Sequence, residues 1–220
     1  MRRLQLTIIL TVLFIIGYSQ NHSKFTFAFN YGMNGNFFVR GYNETSPLNE
    51  VLLYKKNFIG SIGGVELTYK LGAVSKIGVG YSRSVNQGKK NFETFLNGVE
   101  ILIKDFNITH KNSFFQVLVD LELVKKQFAL SYQMGGYLVY TSMQELLIGP
   151  GDIFTNPAII VRERNTENSH LQEAGVFLGF NLTRPVNTQF NIGLNSRVYY
   201  TASARFLELV SFTPSLTFNF

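Results

Sequence analysis

Three histidines, His22, His110 and His170, are the only imidazoles in this 220-residue chain, and it has no cysteine. Without cysteine there is no disulfide, no thiolate metal site, no cysteine nucleophile and no lipid attached through an N-terminal cysteine. His170 has Ser169 beside it and Glu173 three residues on, the residue types of a hydrolase. Nucleophilic catalysis needs the three groups on one face within hydrogen-bond reach. On a strand, 170 and 173 point to opposite faces, and so do 169 and 170. His110 lies with Lys111 and Ser113 in a connecting stretch, and His22 lies near the start of the chain. No catalytic residue is assigned. No phosphate loop, metal cluster or nucleic-acid motif is present, so no cofactor and no metal are expected. A second set of chemically capable residues is Glu66, Lys70, Asp120, Glu122, Glu173 and Arg197. Their role depends on the elements that carry them.

Those elements alternate with period two. Phe25, Phe27, Phe29 and Tyr31 are separated by Thr26, Ala28 and Asn30; Val65, Leu67, Tyr69 and Leu71 by Glu66, Thr68 and Lys70. The same pattern recurs over 77–82, 115–123, 128–134, 174–182 and 190–198, and the chain ends on "SFTPSLTFNF". Such alternation predicts eight strands. Their faces are unlike those of a soluble sandwich. One face carries bulky apolar groups; the other is largely Gly, Ala, Ser, Thr and Asn. Small polar residues suit the interior of a narrow barrel, and bulky apolar ones suit a wall in lipid. The composition agrees: 45% of residues are apolar and only 15% charged, against ~25% charged in soluble domains. The expected fold is all-β, an eight-stranded antiparallel up-and-down transmembrane β-barrel over 20–220.

Connections orient it. "GAVSK", "VKKQ" and "TRPVN" are short, whereas Arg40–Asn57, Val85–Ser113 and Thr141–Ser169 are long. Short periplasmic turns alternate with long outside loops in outer-membrane barrels, so both termini are expected in the periplasm. The terminal strand, with Phe212, Leu216, Phe218 and Phe220 on its lipid face, is expected to close the ring and carry the assembly signal. Centring "TRPVN" on Pro185 pairs Phe180 with Phe190 and Glu173 with Arg197, both facing inward. Glu66, Lys70, Asp120 and Glu122 share the inward parity. Eight strands leave room for side chains and little else, so these six charges are read as an internal salt-bridge plug, with an ion or proton pathway as the competing use.

Arg2 and Arg3 precede a mostly apolar run from Leu4 to Ile16, then Gly17-Tyr18-Ser19. This predicts a signal peptide over 1–19; the run is shorter than the ~20 residues of a spanning helix. Removing two of the 20 basic residues leaves 18 against 14 acidic ones, a net charge of +4. That mild excess, without a dense basic patch, fits anionic lipid head groups and not nucleic acid.

The signal peptide followed by Gln20, the stretches "GVELTYKLGAVSKIGVGYSRS" and "NSFFQVLVDLELVKKQFALSYQMGGYLVY", and the aromatic C-terminus resemble the outer-membrane β-barrel family of Bacteroidota that includes PorT-like proteins. The strand "QVLVDLEL" departs from the family's aliphatic run with a proline. The resemblance implies an eight-stranded barrel inserted by the outer-membrane assembly machinery, and it implies no reaction. The expected protein is a non-enzymatic structural or interaction component of the cell outer membrane. It acts through its outside loops or by lateral contact with a larger complex, amid outer-membrane lipids and lipopolysaccharide. A lipid-modifying enzyme and a narrow pore or small-ligand carrier are the alternatives. The connection "NQGKKNFETFLNGVEILIKDFNITHKN" mixes apolar and charged residues as a hairpin would. In "TSMQELLIGPGDIFTNPAIIVRERNTENS" the apolar "AIIV" serves either packing or a partner.

Overall fold

The computed structural model describes residues 24–37, 59–96, 99–125, 127–149, 158–164, 172–202 and 206–220. The expected signal peptide, the first long connection, His22, Ser169 and His170 lie outside the described residues.

Nine strands are formed among them: β1 (Phe25–Asn36), β2 (Ile59–Lys70), β3 (Ser75–Leu96), β4 (Val99–Lys125), β5 (Ala129–Gly149), β6 (Ala158–Arg164), β7 (Gln172–Pro185), β8 (Phe190–Thr201) and β9 (Phe206–Asn219). All pairings are antiparallel. Eight strands close a ring in the order β1-β2-β3-β4-β5-β7-β8-β9, with β9 returning to β1. The extra strand, β6, pairs only with the far part of β5, from Met143↔Arg164 to Gly149↔Ala158. The wall therefore has the eight strands expected. The expected connections at Val85–Ser113 and Thr141–Ser169 are in large part strand. β3 and β4 stay paired out to Leu96↔Val99, which makes the first a long hairpin. β5 and β6 make a second.

Walking the ring fixes its geometry. From Thr26 the registers run Thr68, Gly78, Leu118, Gly135, Phe177, Tyr199, Leu209 and back to β1 at Asn36. The return is displaced by 36 − 26 = 10 residues. With usual strand spacings this shear tilts the strands by ~41° and gives a backbone radius of ~8 Å. Side chains from opposite walls then meet at the axis.

The faces divide as the alternation predicts. Phe25, Phe27, Phe29, Tyr31 and Met33 of β1 face outward and are exposed, as are Val176, Leu178 (51% exposed), Phe180 and Leu182 of β7. Asn30, Asn34, Ser82, Gln133, Asn195, Ser211, Thr213 and Thr217 are buried within the ring. Aromatics mark both margins of the apolar band. At the short-turn end Phe25 lies 5.0 Å from Tyr69 and 5.9 Å from Phe220, ring to ring, and Phe218 lies 4.9 Å from Phe190. At the other end Tyr81, Phe115 and Tyr140 form a row at 5.2 and 5.7 Å. Beyond them the wall turns polar with Arg83, Ser113 and Lys111. Among the described residues no helix is long and apolar enough to cross a membrane.

The ring shuts between the chain ends. Phe25 and Phe220 exchange backbone hydrogen bonds of 3.0 and 2.9 Å. Phe212, Leu216 and Phe218 are paired to Met33, Phe29 and Phe27. The last strand is thus paired with β1 as well as with β8.

One expected register is wrong. The β7–β8 turn is not centred on Pro185, which is the last residue of β7 and lies opposite Asn191. A proline has no N–H to give and is tolerated at a strand end. The turn falls on 186–189. Val186 N–H donates to Phe190 O at 2.9 Å, and Asn187 Oδ1 accepts from Gln189 and Phe190 N–H at 2.8 and 2.7 Å. That side chain mimics a backbone turn. Phe180 consequently lies opposite Ser196, and Gly179 opposite Arg197. The partner of residue 180 moves from 190 to 196, an even displacement, so every side chain keeps its face.

Candidate functional site

The lumen is the candidate site, and it is filled in three tiers. The first is built on Arg197 of β8, which is 4% exposed. Its Nη1 lies 2.6 Å from Glu66 Oε1, and Nη2 donates to Glu66 Oε2 at 2.8 Å. Nη1 also donates to Gln116 Oε1 at 3.0 Å, while Nε and Nη2 donate to Gln133 Oε1 at 3.1 and 2.8 Å. Gln133 is the node of the tier. Its Oε1 also accepts from Asn195 Nδ2 at 3.1 Å, and its Nε2 donates to Asp120 Oδ2 at 2.7 Å. Ser131 Oγ adds a bond of 3.1 Å to the same Asp120 oxygen, and Asn30 Nδ2 donates to Glu66 Oε1 at 2.8 Å. Charged hydrogen bonds of this kind are about twice as strong as neutral ones.

Glycines make room for the long side chains. Gly179 lies opposite Arg197, and a Cβ there would stand 2.7 Å from Arg197 Cγ and 2.5 Å from Ser196 O. A Cβ on Gly80 would meet Glu66 Cγ at 3.0 Å.

The second tier is aromatic. Phe114, Tyr137, Phe177 and Tyr199 project inward from four strands and are buried. Phe114 lies 5.1 Å from Tyr199 and 5.5 Å from Tyr137; Tyr199 lies 5.5 Å from Tyr137 and from Phe177. Leu118, Ile62, Val139 and Leu209 complete the cluster. The Arg197 guanidinium sits 5.0 Å from the Phe177 ring centre, so charge and rings are stacked. Next to these groups, a cavity lined by Asn30, Ser82, Arg197 and Tyr199 has a volume of about 20 Å3, the room of a single water.

The third tier is polar and lies toward the long hairpins. A bulge on β9 passes from Tyr199↔Leu209 to Tyr200↔Leu207, which leaves Glu208 as an extra residue. Its side chain is 3% exposed. Its carboxylate accepts from Asn112 Nδ2 at 2.9 Å and from the Thr201 hydroxyl. Thr201 and Tyr137 share a hydroxyl–hydroxyl bond of 2.8 Å, and Thr141 donates to Asn112 Oδ1 at 2.8 Å.

The six expected charges therefore separate. Glu66 and Arg197 meet, and Asp120 joins them through Gln133. Glu173 and Arg197 do not pair: Glu173 lies opposite Val139, above the aromatic tier. The turn at 186–189 moves Arg197 down to Gly179. Lys70 is exposed at the short-turn rim, and Glu122 is half-buried near it. His110 is not in a loop. It sits on β4 opposite Asn86, facing inward and buried. Among the described residues no three His, Cys, Asp or Glu are grouped to hold a metal ion.

Sequence reading misses the neutral members. Gln116 and Gln133 have the inward parity of Asp120 and are readable as candidates. Phe114 and Tyr137 share that parity, but assigning bulky apolar groups to the lipid face hides them. The only signal for Glu208 is the broken alternation of "FLELV".

No protein-family model matches the chain, and no curated protein does. Three solved barrels are similar to it in shape. The attachment invasion locus protein Ail of Yersinia pestis has 8% identity over 91% of this chain and 100% of that one, with a TM-score of 0.47. The N-terminal β-barrel domain of Pseudomonas aeruginosa OprF has 9% identity over 91% and 100%, at 0.45. A major outer membrane protein from Thermus thermophilus has 13% over 91% and 100%, at 0.48.

Proposed function

We propose that this chain is a non-enzymatic outer-membrane β-barrel of the Bacteroidota, PorT-like kind, a sealed pin whose work is done by its long hairpins or by lateral contact with a larger membrane complex. In this reading the signal peptide exports it, the assembly machinery inserts it, and both termini and the short turns lie in the periplasm. One observation carries the reading: the ring is inverted, apolar outside and polar inside, and its lumen is blocked by four rings in tilted and edge-to-face contact above a buried ion pair. An apolar wall needs lipid. A blocked lumen favours a sealed body over the narrow pore considered from the sequence. The hairpins β3–β4 and β5–β6 rise past the aromatic margin, where partners can reach them.

The test has two parts. Purified barrel in planar bilayers is expected to give no steady conductance, and the protein is expected in the outer-membrane fraction as a heat-modifiable band. Cross-linking in native outer membranes is then expected to capture a partner through residues of the two hairpins. Steady ohmic conductance, or turnover of lipid substrates by the purified barrel, would overturn the reading.

A further inference from the structure

The short-turn end carries a row of like charges. Lys70 and Lys76 lie directly opposite each other on β2 and β3. Lys24 is their neighbour on the other side, its carbonyl accepting the Lys70 N–H at 2.8 Å. All three have the inward parity, so the row follows the rim of the lumen. Directly opposed like charges destabilise a strand pair, and Cβ atoms at such positions are only about 5 Å apart. Two carboxylates of β4 lie near the row. Asp120, opposite Lys76, is buried and accepts from Ser131 and Gln133. Glu122, one inward position closer to the rim, has an interaction of its own. Arg184 adds a further cation to this end, 5.5 Å from the Phe128 ring centre.

Depth adds a second observation. Beside the row lie the exposed apolar turn residues Leu71 and Val74 and the aromatic margin of Phe25, Phe218 and Phe220. An apolar tip flanked by ammonium groups at an aromatic girdle lies at the level of lipid phosphates. A phosphate oxyanion offers several acceptor oxygens, and lysine serves it as a point charge without a fixed geometry.

We propose that Lys24, Lys70 and Lys76 form a site for a phosphate-type oxyanion at the short-turn mouth of the barrel. The anion is the phosphodiester of a lipid head group or free phosphate. The lipid source rests on the membrane reading above; the anion site does not.

Two arms separate the sources. In an uncharged maltoside detergent, orthophosphate is titrated against chloride at matched ionic strength and the unfolding temperature is followed by the heat-modifiable band. In nanodiscs, phosphatidylcholine alone is compared with phosphatidylcholine plus phosphatidylglycerol. Wild type is expected to be stabilised in at least one arm. K70Q/K76Q is expected to lose that gain, with a binding midpoint about tenfold weaker, and to be no less stable than wild type in chloride. K104Q, at the far end of β4, should behave as wild type. A gain in the nanodisc arm alone assigns the lipid; a gain with orthophosphate assigns the free anion. A barrel that binds orthophosphate in detergent yet fails to enter nanodiscs would spare the site and sink the membrane reading. If neither arm separates wild type from K70Q/K76Q, the site does not exist.

Discussion

Replacing Arg197 by Met removes the guanidinium while keeping most of the stem that packs over Phe177. In the wild type that guanidinium makes two contacts to Glu66, at 2.6 and 2.8 Å, one to Gln116 and two to Gln133. Arg197→Met would leave the Glu66 carboxylate with the Asn30 amide as its described partner, in a lumen sealed by the aromatic tier. An uncompensated buried charge costs ~3–5 kcal/mol. Glu66→Met is milder, because Arg197 keeps Gln116 and Gln133 and has Asp120 one side chain away; losing one charged hydrogen-bond partner costs ~1.5–3 kcal/mol. Removing both charges in R197M/E66M strands neither partner. Such replacements are often neutral or stabilising, so the double variant is expected within ~1–2 kcal/mol of wild type. The assay is a double-mutant cycle of reversible urea unfolding in lipid vesicles, followed by β-sheet circular dichroism and the heat-modifiable band. Strict additivity of the two single variants, or an R197M variant as stable as wild type, would refute the pairing and the tiered lumen with it. Glu173→Gln serves as the contrast, since Glu173 is placed away from Arg197; it is expected within ~0.5 kcal/mol.

Four further outcomes are expected. Phe220→Ala should lower the yield of inserted, heat-modifiable barrel, because Phe220 closes β9 on β1 through Phe25; normal insertion would remove its assigned role. Leu178→Arg puts a charge on the lipid face of β7 and should cost ~2–4 kcal/mol near the midplane, measured by unfolding in vesicles; a silent change would mean Leu178 does not face lipid. Gly135→Ala places a Cβ 2.1 Å from Val117 O and 2.7 Å from the Phe177 ring, so overpacking should cost ~1–3 kcal/mol in the same assay. Phe114→Ala opens the aromatic tier and should cost ~3–5 kcal/mol; planar-bilayer recordings would then show whether conductance appears that the wild type lacks.

Local pattern is legible in the sequence and turn chemistry is not. Outward Phe27, Leu67, Val79 and Leu178 are readable because lipid selects bulk on one face with period two. The last strand, with Phe212, Leu216, Phe218 and Phe220, is readable because its apolar residues alternate with Thr213, Ser215, Thr217 and Asn219. The register at Pro185 misleads because proline resembles the tip of a turn, while Asn187 two residues on provides the side-chain acceptor that folds it. The error is even, so Glu173 and Arg197 keep their inward faces and lose only their pairing. Within 85–113 a hairpin is readable but its extent is not, because "NQGKK" interrupts the alternation while the ladder runs on to Leu96↔Val99 with one shift between Lys90 and Phe92.

What the sequence conceals is contact across the lumen. Glu66 and Arg197 are 131 residues apart and sit on strands separated by β9 and β1. No pairing of neighbouring strands brings them together. They meet because a shear of ten tilts the wall, so Arg197, in the upper half of β8, faces Glu66, in the lower half of β2. A smaller shear would stand the strands more upright and bring Arg197 toward other rows. The bulge at Glu208 acts in the same way, since one extra residue on β9 is what carries a carboxylate inside beside Asn112 and Thr201. Both depend on counts taken around the whole ring: the shear through its sum, the bulge through one unit of offset. A period-two pattern records which face a residue takes and is blind to that offset. The inward residue types can thus be read strand by strand, whereas their partners are set only once β9 has closed on β1.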